Sequence, residues 1–162
     1  MRTPKLAPLV STALLIALAS PASAFGYRAT GFDPSDRGGK QPDISSTTRR
    51  VRAAPNGHAY LTVTLRTYED LPSWWTAVIV LDAQGGPLRD SRMDIWDNAE
   101  DGHGCDVNGR QGTFHKRGRW ASCRVPLRYV HPHKRIRWKI VSLAAFDVGN
   151  ADYAPNDRGW YS

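Results

Sequence analysis

Two groups of short carboxylates stand out along the chain. One is Asp33, Asp36 and Asp43; the other is Asp94, Asp97, Asp101 and Asp106. Aspartate supplies hard oxygen ligands of the kind calcium takes. The first group is the better calcium candidate, because Asp152 and Asp157 would complete it if the two ends of the chain meet. Neither group has the D-x-D-x-D-G spacing of a calcium loop, and aspartate is also a common turn residue. A structural calcium is therefore an option that the chain does not require. His131 and His133 flank Pro132. On an extended strand their rings would face the same way, as in a zinc pair, with His115 or His103 as a third ligand. Pro132 instead favours a turn, and the surrounding bases repel a cation.

Catalytic patterns are missing. There is no G-x-S-x-G, no H-E-x-x-H and no phosphate loop. The two glutamates, Glu69 and Glu100, do not make a glycosidase acid/base pair, although aspartates could serve in their place. The Trp74–Trp75 pair suggests binding rather than turnover. Adjacent side chains on a strand face opposite ways, so one ring belongs to the core and the other is exposed, where it could stack on a sugar.

The elements that would position these groups have an apolar period of two. Leu61, Val63 and Leu65 alternate with Thr62, Thr64 and Arg66, and Ile136, Trp138 and Ile140 alternate with Arg137 and Lys139. That is the pattern of half-buried strands. Trp75 to Leu81 is nearly continuous and reads as a strand buried on both faces. Pro55-Asn56-Gly57, Asn108-Gly109 and the Gly85-Gly86-Pro87 run break these stretches with turn chemistry. The spacing predicts strands over 43–53, 58–68, 75–83, 91–97, 111–117, 119–129 and 135–146. Together they make one all-β domain, an antiparallel β-sandwich of seven to nine strands. Residues 25–42 read as an irregular lead-in, and 43–162 as the sandwich.

Arg2 and Lys5, the apolar run Leu9 to Leu18 and the small residues Ala22, Ser23 and Ala24 have the pattern of a signal peptide, 1–24, cleaved before Phe25. The expected location is therefore secreted, extracellular, with no membrane span in the mature chain. In such a compartment the two cysteines, Cys105 and Cys123, are expected to pair. Closing a loop of this length contributes about 3 kcal/mol.

The chain carries 22 Lys and Arg against 15 Asp and Glu. The signal peptide takes two of those bases and no acid, leaving 20 − 15 = +5. The charges are segregated. Asp82 to Asp106 is acid-rich, whereas Val107 to Phe146 contains no acid and ten bases. Two readings stay open: a basic face for an anionic partner, or a basic hairpin paired with the acidic segment. The expected ligand surface is Trp74, Arg135, Arg137 and Lys139. Nucleic acid is not expected, since no nucleic-acid motif is present.

The D-P-x-x-D run from Asp33 to Asp36, Pro42-Asp43-Ile44 at the start of a strand, and Val78 to Asp82 resemble exported bacterial β-sandwich domains of the DOMON-like and family-9 carbohydrate-binding-module-like group. The stretch from Asp152 to Trp160 resembles the ending of small exported actinobacterial proteins. The resemblance implies a non-enzymatic, sugar- or ligand-binding sandwich with calcium near Asp33, Asp36 and Asp43. It departs at Asp82, which Ala83 rather than a second acid follows, and at Met93, which has no haem-type histidine partner. The resulting expectation is a secreted, non-catalytic sandwich that binds carbohydrate or an anionic cell-envelope polymer. The alternatives are a secreted hydrolase with a site of scattered Asp and His, and a secreted inhibitor or interaction protein.

Overall fold

The computed structural model of the chain describes residues 27–35, 42–82, 91–98, 100–130, 137–145, 152–154 and 160–161. The expected signal peptide 1–24 lies outside them, as do Asp36, Arg135, His131, His133 and Asp157. The strands are β1 (Tyr27–Phe32), β2 (Ile44–Ala53), β3 (Ala59–Thr67), β4 (Trp75–Asp82), β5 (Ser91–Asn98), β6 (Gly102–Val107), β7 (Arg110–Gln111), β8 (Thr113–Arg117), β9 (Trp120–Pro126), β10 (Arg137–Ala145) and β11 (Asp152–Ala154). A 3-10 turn, Leu127–Tyr129, follows β9. Among the described residues no helix is long and apolar enough to cross a membrane.

The strands form two antiparallel sheets, ordered β1-β2-β3-β9-β8 and β11-β10-β4-β5-β6-β7. The all-β sandwich follows from the period-two pattern. Leu61, Val63 and Leu65 of β3 are fully buried, as are Trp75, Ala77, Ile79 and Leu81 of β4. Each large apolar side chain buried this way stabilises the fold by roughly 1.5–3 kcal/mol.

Three features differ from the sequence expectation. The lead-in 25–42 is not wholly irregular, because Tyr27–Phe32 forms β1 and pairs in continuous register with β2. β4 is not buried on both faces: Thr76, Val78 and Val80 are only half-buried. A two-layer sandwich leaves the outer face of each sheet without a third layer. β6 also joins the second sheet, although its composition, GHGCDV, resembles a loop.

Local chemistry sets the registers. The β6–β7 connection is the two-residue Asn108-Gly109 turn, with φ of 50° and 74°. Two positive φ values define a type I′ hairpin, which Asn-Gly suits. In β2 the register shifts between Ile44 and Ser46. This bulge lets both Ile44 and Thr47 face the core, although the two residues differ in parity.

Two ties cross the core. Cys105 of β6 and Cys123 of β9 form a disulfide with a Cα–Cα distance of 5.8 Å. On the other side of the sandwich the Trp138 indole Nε1–H donates to Thr47 Oγ1 at 3.0 Å. The Arg49 guanidinium lies 4.8 Å from the centre of the same indole ring. Tyr161 packs on Trp138 with ring centroids 5.5 Å apart, and its ring covers Gly31 of β1, where a Cβ would collide with it.

Two stability predictions follow from these contacts. Thr47→Val should cost about 1–3 kcal/mol in denaturant unfolding, because it strands a buried indole N–H. Gly31→Ala should destabilise by about 1–3 kcal/mol through overpacking, and Tyr161→Ala in the same chain should recover part of that loss.

Candidate ligand-binding face

The outer face of the first sheet is built by alternation. On β2 and β3 the core takes Val51, Leu61, Val63 and Leu65, so Ser46, Thr48, Arg50, Thr62, Thr64 and Arg66 point outward. On β9 the core takes Ala121, Cys123 and Val125, which sends Trp120, Ser122 and Arg124 outward.

The registers line these residues up in rows across the strands. Thr30 faces Thr48, Thr48 faces Thr64, and Thr64 faces Ser122. Beyond Ser122 on the sheet edge comes His115. This middle row is a line of hydroxyls, and Thr30 Oγ1 and Thr48 Oγ1 are hydrogen-bonded at 3.0 Å. On one side of it Arg28 faces Arg50, Arg50 faces Thr62, and Thr62 faces Arg124. On the other side Phe32 faces Ser46, Ser46 faces Arg66, and Arg66 faces Trp120. The two outer rows lie four residues apart along β3, or about 13 Å. Short hydroxyl side chains between longer arginine and aromatic ones give the face a floor and two walls. The resulting concavity encloses about 760 Å³.

Its lining includes Arg28, Arg50, Arg52, Arg66 and Arg124, and no acid. Among the described residues none of these five takes part in an ion pair; the pairs there are Arg92–Asp94, Lys116–Asp97 and Arg119–Asp70. Arg124 lies over the Tyr60 ring at 4.2 Å, which holds its guanidinium up on an aromatic shelf. Arg28 and Arg50 are directly opposite on neighbouring strands, and like charges in that position destabilise a sheet.

The surface expected from the sequence is not assembled as one site. Arg137 and Lys139 do point out from β10, but from the second sheet. They sit over the Trp160 ring at 5.3 and 4.6 Å. Trp74 is 46 % exposed beside the fully buried Trp75, so the pair divides between surface and core as alternation requires. Trp74 adjoins the first residue of β4, while Arg137 pairs with Asp82 at its last. The length of β4 separates them, roughly 20 Å. The acid-free stretch 107–146 likewise does not form one face: β8 and β9 lie in the first sheet and β10 in the second. One of its bases does pair with the acidic segment, Lys116 with Asp97 at 2.7 Å.

Local contacts hold several aspartates of the two carboxylate groups in place. Asp33 is 2 % exposed; its backbone N–H donates to Ser45 O and its carbonyl accepts from the Tyr68 hydroxyl at 2.9 Å. Asp43 Oδ2 accepts from Ser35 Oγ. Asp152 Oδ2 accepts from the Ile44 N–H at 2.6 Å, which brings that strand beside Asp43. Asp36 lies outside the described residues. Among those that are described, no group of three or more His, Cys, Asp or Glu is placed to hold a metal ion. In the second group Asp94 pairs with Arg92, Asp97 with Lys116, and Asp106 Oδ1 accepts from the Gly109 N–H. His103 packs against Phe114 at 5.5 Å.

Fold and site together define a two-sheet antiparallel sandwich with a cationic, hydroxyl-floored trough on one outer face. No family model matches this chain, and no curated protein or solved structure matches it either.

The Arg28–Arg50 opposition makes a direct prediction. Arg28→Gln should leave the denaturant midpoint unchanged or raise it, by at most about 1 kcal/mol in stability. An arginine serving the fold would give the opposite sign.

Proposed function

We propose that this chain is a secreted, non-catalytic β-sandwich that binds an anionic polymer in the trough of its first sheet, a glycan or a polymer of the cell envelope. The observation that carries this reading is the trough itself: five arginines, no acid, and no ion pair to any of them among the described residues. Guanidinium groups stay charged at all working pH values and present forked donors that fit carboxylate, sulfate and phosphate. Hydroxyls on the floor supply neutral donors and acceptors beside them. Placing Arg28 opposite Arg50 costs the sheet stability, and an anion between them reverses the sign of that term.

The signal-peptide pattern at the N-terminus supports export, and the Cys105–Cys123 disulfide is compatible with an oxidising compartment. The trough replaces Trp74, Arg135, Arg137 and Lys139 as the preferred ligand surface, because its cations are contiguous.

Retention on immobilised heparin, a general polyanion probe, tests the reading. The native chain should bind at low salt and elute as salt rises toward about 1 M, where screening shortens to about 3 Å. Replacing Arg28, Arg50, Arg66 and Arg124 by Gln should abolish retention. Replacing Arg137 and Lys139 by Gln should leave it unchanged. Equal retention of the native and four-arginine variants refutes the assignment of the face.

A further inference from the structure

The trough has a direction, and its two walls differ in chemistry. The hydroxyl floor, Thr30, Thr48 and Thr64, takes one residue from each of three successive strands. It therefore runs across the strands in steps of about 4.8 Å, and the row from Phe32 on β1 to Trp120 on β9 spans roughly 14 Å. One wall presents guanidinium groups, from Arg28, Arg50 and Arg124. The other ends in aromatic rings, Phe32 on β1 and Trp120 on β9, with Arg66 between them. Phe32 is 78 % exposed, an unusual position for a phenylalanine with no task at the surface.

A molecule that satisfies the whole trough must offer anions to one wall, apolar ring faces to the other, and hydrogen-bonding groups to the floor. A phosphate chain without rings has nothing for Phe32 and Trp120. A neutral glycan has nothing for the three arginines. Successive nucleotides rise about 3.4 Å per step, so two rings roughly 14 Å apart do not form a continuous stacking platform for bases. A pyranose carrying a carboxylate or sulfate has all three features: an apolar C–H face, ring hydroxyls and an anionic group at the rim.

Building on the polyanion reading above, we propose that the trough is a subsite array for a linear acidic polysaccharide lying across the strands. Sugar rings rest on Phe32 and Trp120, their hydroxyls meet the threonine floor, and their anionic groups face Arg28, Arg50 and Arg124. Because the trough spans four strands, a monosaccharide meets only part of it. Affinity must therefore grow with chain length and level off once the trough is filled.

The test is titration of the full mature chain with polygalacturonate, heparin, polyphosphate, single-stranded DNA and a neutral glucan at matched charge or mass, together with galacturonate oligomers of increasing length. Polygalacturonate or heparin should bind more tightly than polyphosphate and DNA, and comparing these two separates carboxylate from sulfate as the anion. Affinity should climb over the first few sugars and then plateau, with the monomer failing to bind. Phe32→Ala with Trp120→Ala should weaken glycan binding by about tenfold while retaining polyphosphate binding. Trp120→Phe should rescue most of that loss. Should the double variant unfold, Phe32→Ala alone, at an exposed position, reads the same effect. Polyphosphate or DNA bound as tightly as the acidic glycans, or glycan binding indifferent to the aromatic variants, overturns this proposal and leaves a general polyanion face standing. Absence of binding to every anion overturns both readings.

Discussion

The indole N–H of Trp138 reaches across the core to Thr47 Oγ1, and the chemistry of the opposite surface depends on what that bond holds in place. Thr47 and Arg49 face inward on β2, so Thr48 and Arg50 must face outward. A slip of one residue would reverse the set, turning Arg50 and Arg52 into the core and Val51 out into water. The bulge at Ser45 places Thr47 opposite Trp138 while keeping Ile44 buried. The disulfide does the same for β9, since fixing Cys123 toward β6 turns Arg124 to the outer face. The two ties thus stand directly behind the trough, one under each of the strands that flank β3.

This arrangement places the contacts that hold the fold on one face of these strands and the uncompensated charges on the other. The inward residues of β2, β3 and β9 are apolar, disulfide-bonded or hydrogen-bonded across the core. The outward residues contribute little to holding the sandwich together and, at Arg28 and Arg50, work against it. A surface that selection had tuned for stability alone would intersperse acids among these bases. The second sheet does this, with Arg92 on Asp94 and with Asp106 turned to its own hairpin. The contrast between the two outer faces is what makes the first one read as a binding surface.

Much of the fold is legible from the pattern of the chain. β3, β4 and β10 announce themselves because their apolar residues fall at every second position, and Asn108-Gly109 fits one kind of turn. β1 and β6 do not announce themselves, for a physical reason. Both contain glycines that leave gaps in the apolar alternation. Gly31 lies under Tyr161, and Gly104 lies where the Trp96 ring leaves no room for a Cβ. Their strand character comes from neighbours distant in sequence. The acid-free stretch 107–146 is one block in sequence, yet its described parts divide between two sheets. A second acid-free stretch, 44–68, carries Arg50, Arg52 and Arg66 on alternate positions with Ser46, Thr48, Thr62 and Thr64. Read for its polar period rather than its apolar one, that stretch shows most of the trough. Its alignment with β1 and β9 is a property of the pairing and is not written in any one segment.

Tyr161 has a consequence for the order in which the chain can assemble. Its ring caps β1, and its hydroxyl donates to Phe32 O across a separation of 129 residues. It also exchanges two backbone hydrogen bonds with Trp138. The contacts that seat the first strand therefore involve a side chain synthesised 129 residues after Phe32. Loop-closure entropy must be met before such a contact forms, which slows folding relative to local pairing. The antiparallel pairs β2–β3 and β4–β5 join strands adjacent in sequence and need no such long closure. The Tyr161 cap on β1, at one edge of the trough, can form only after them.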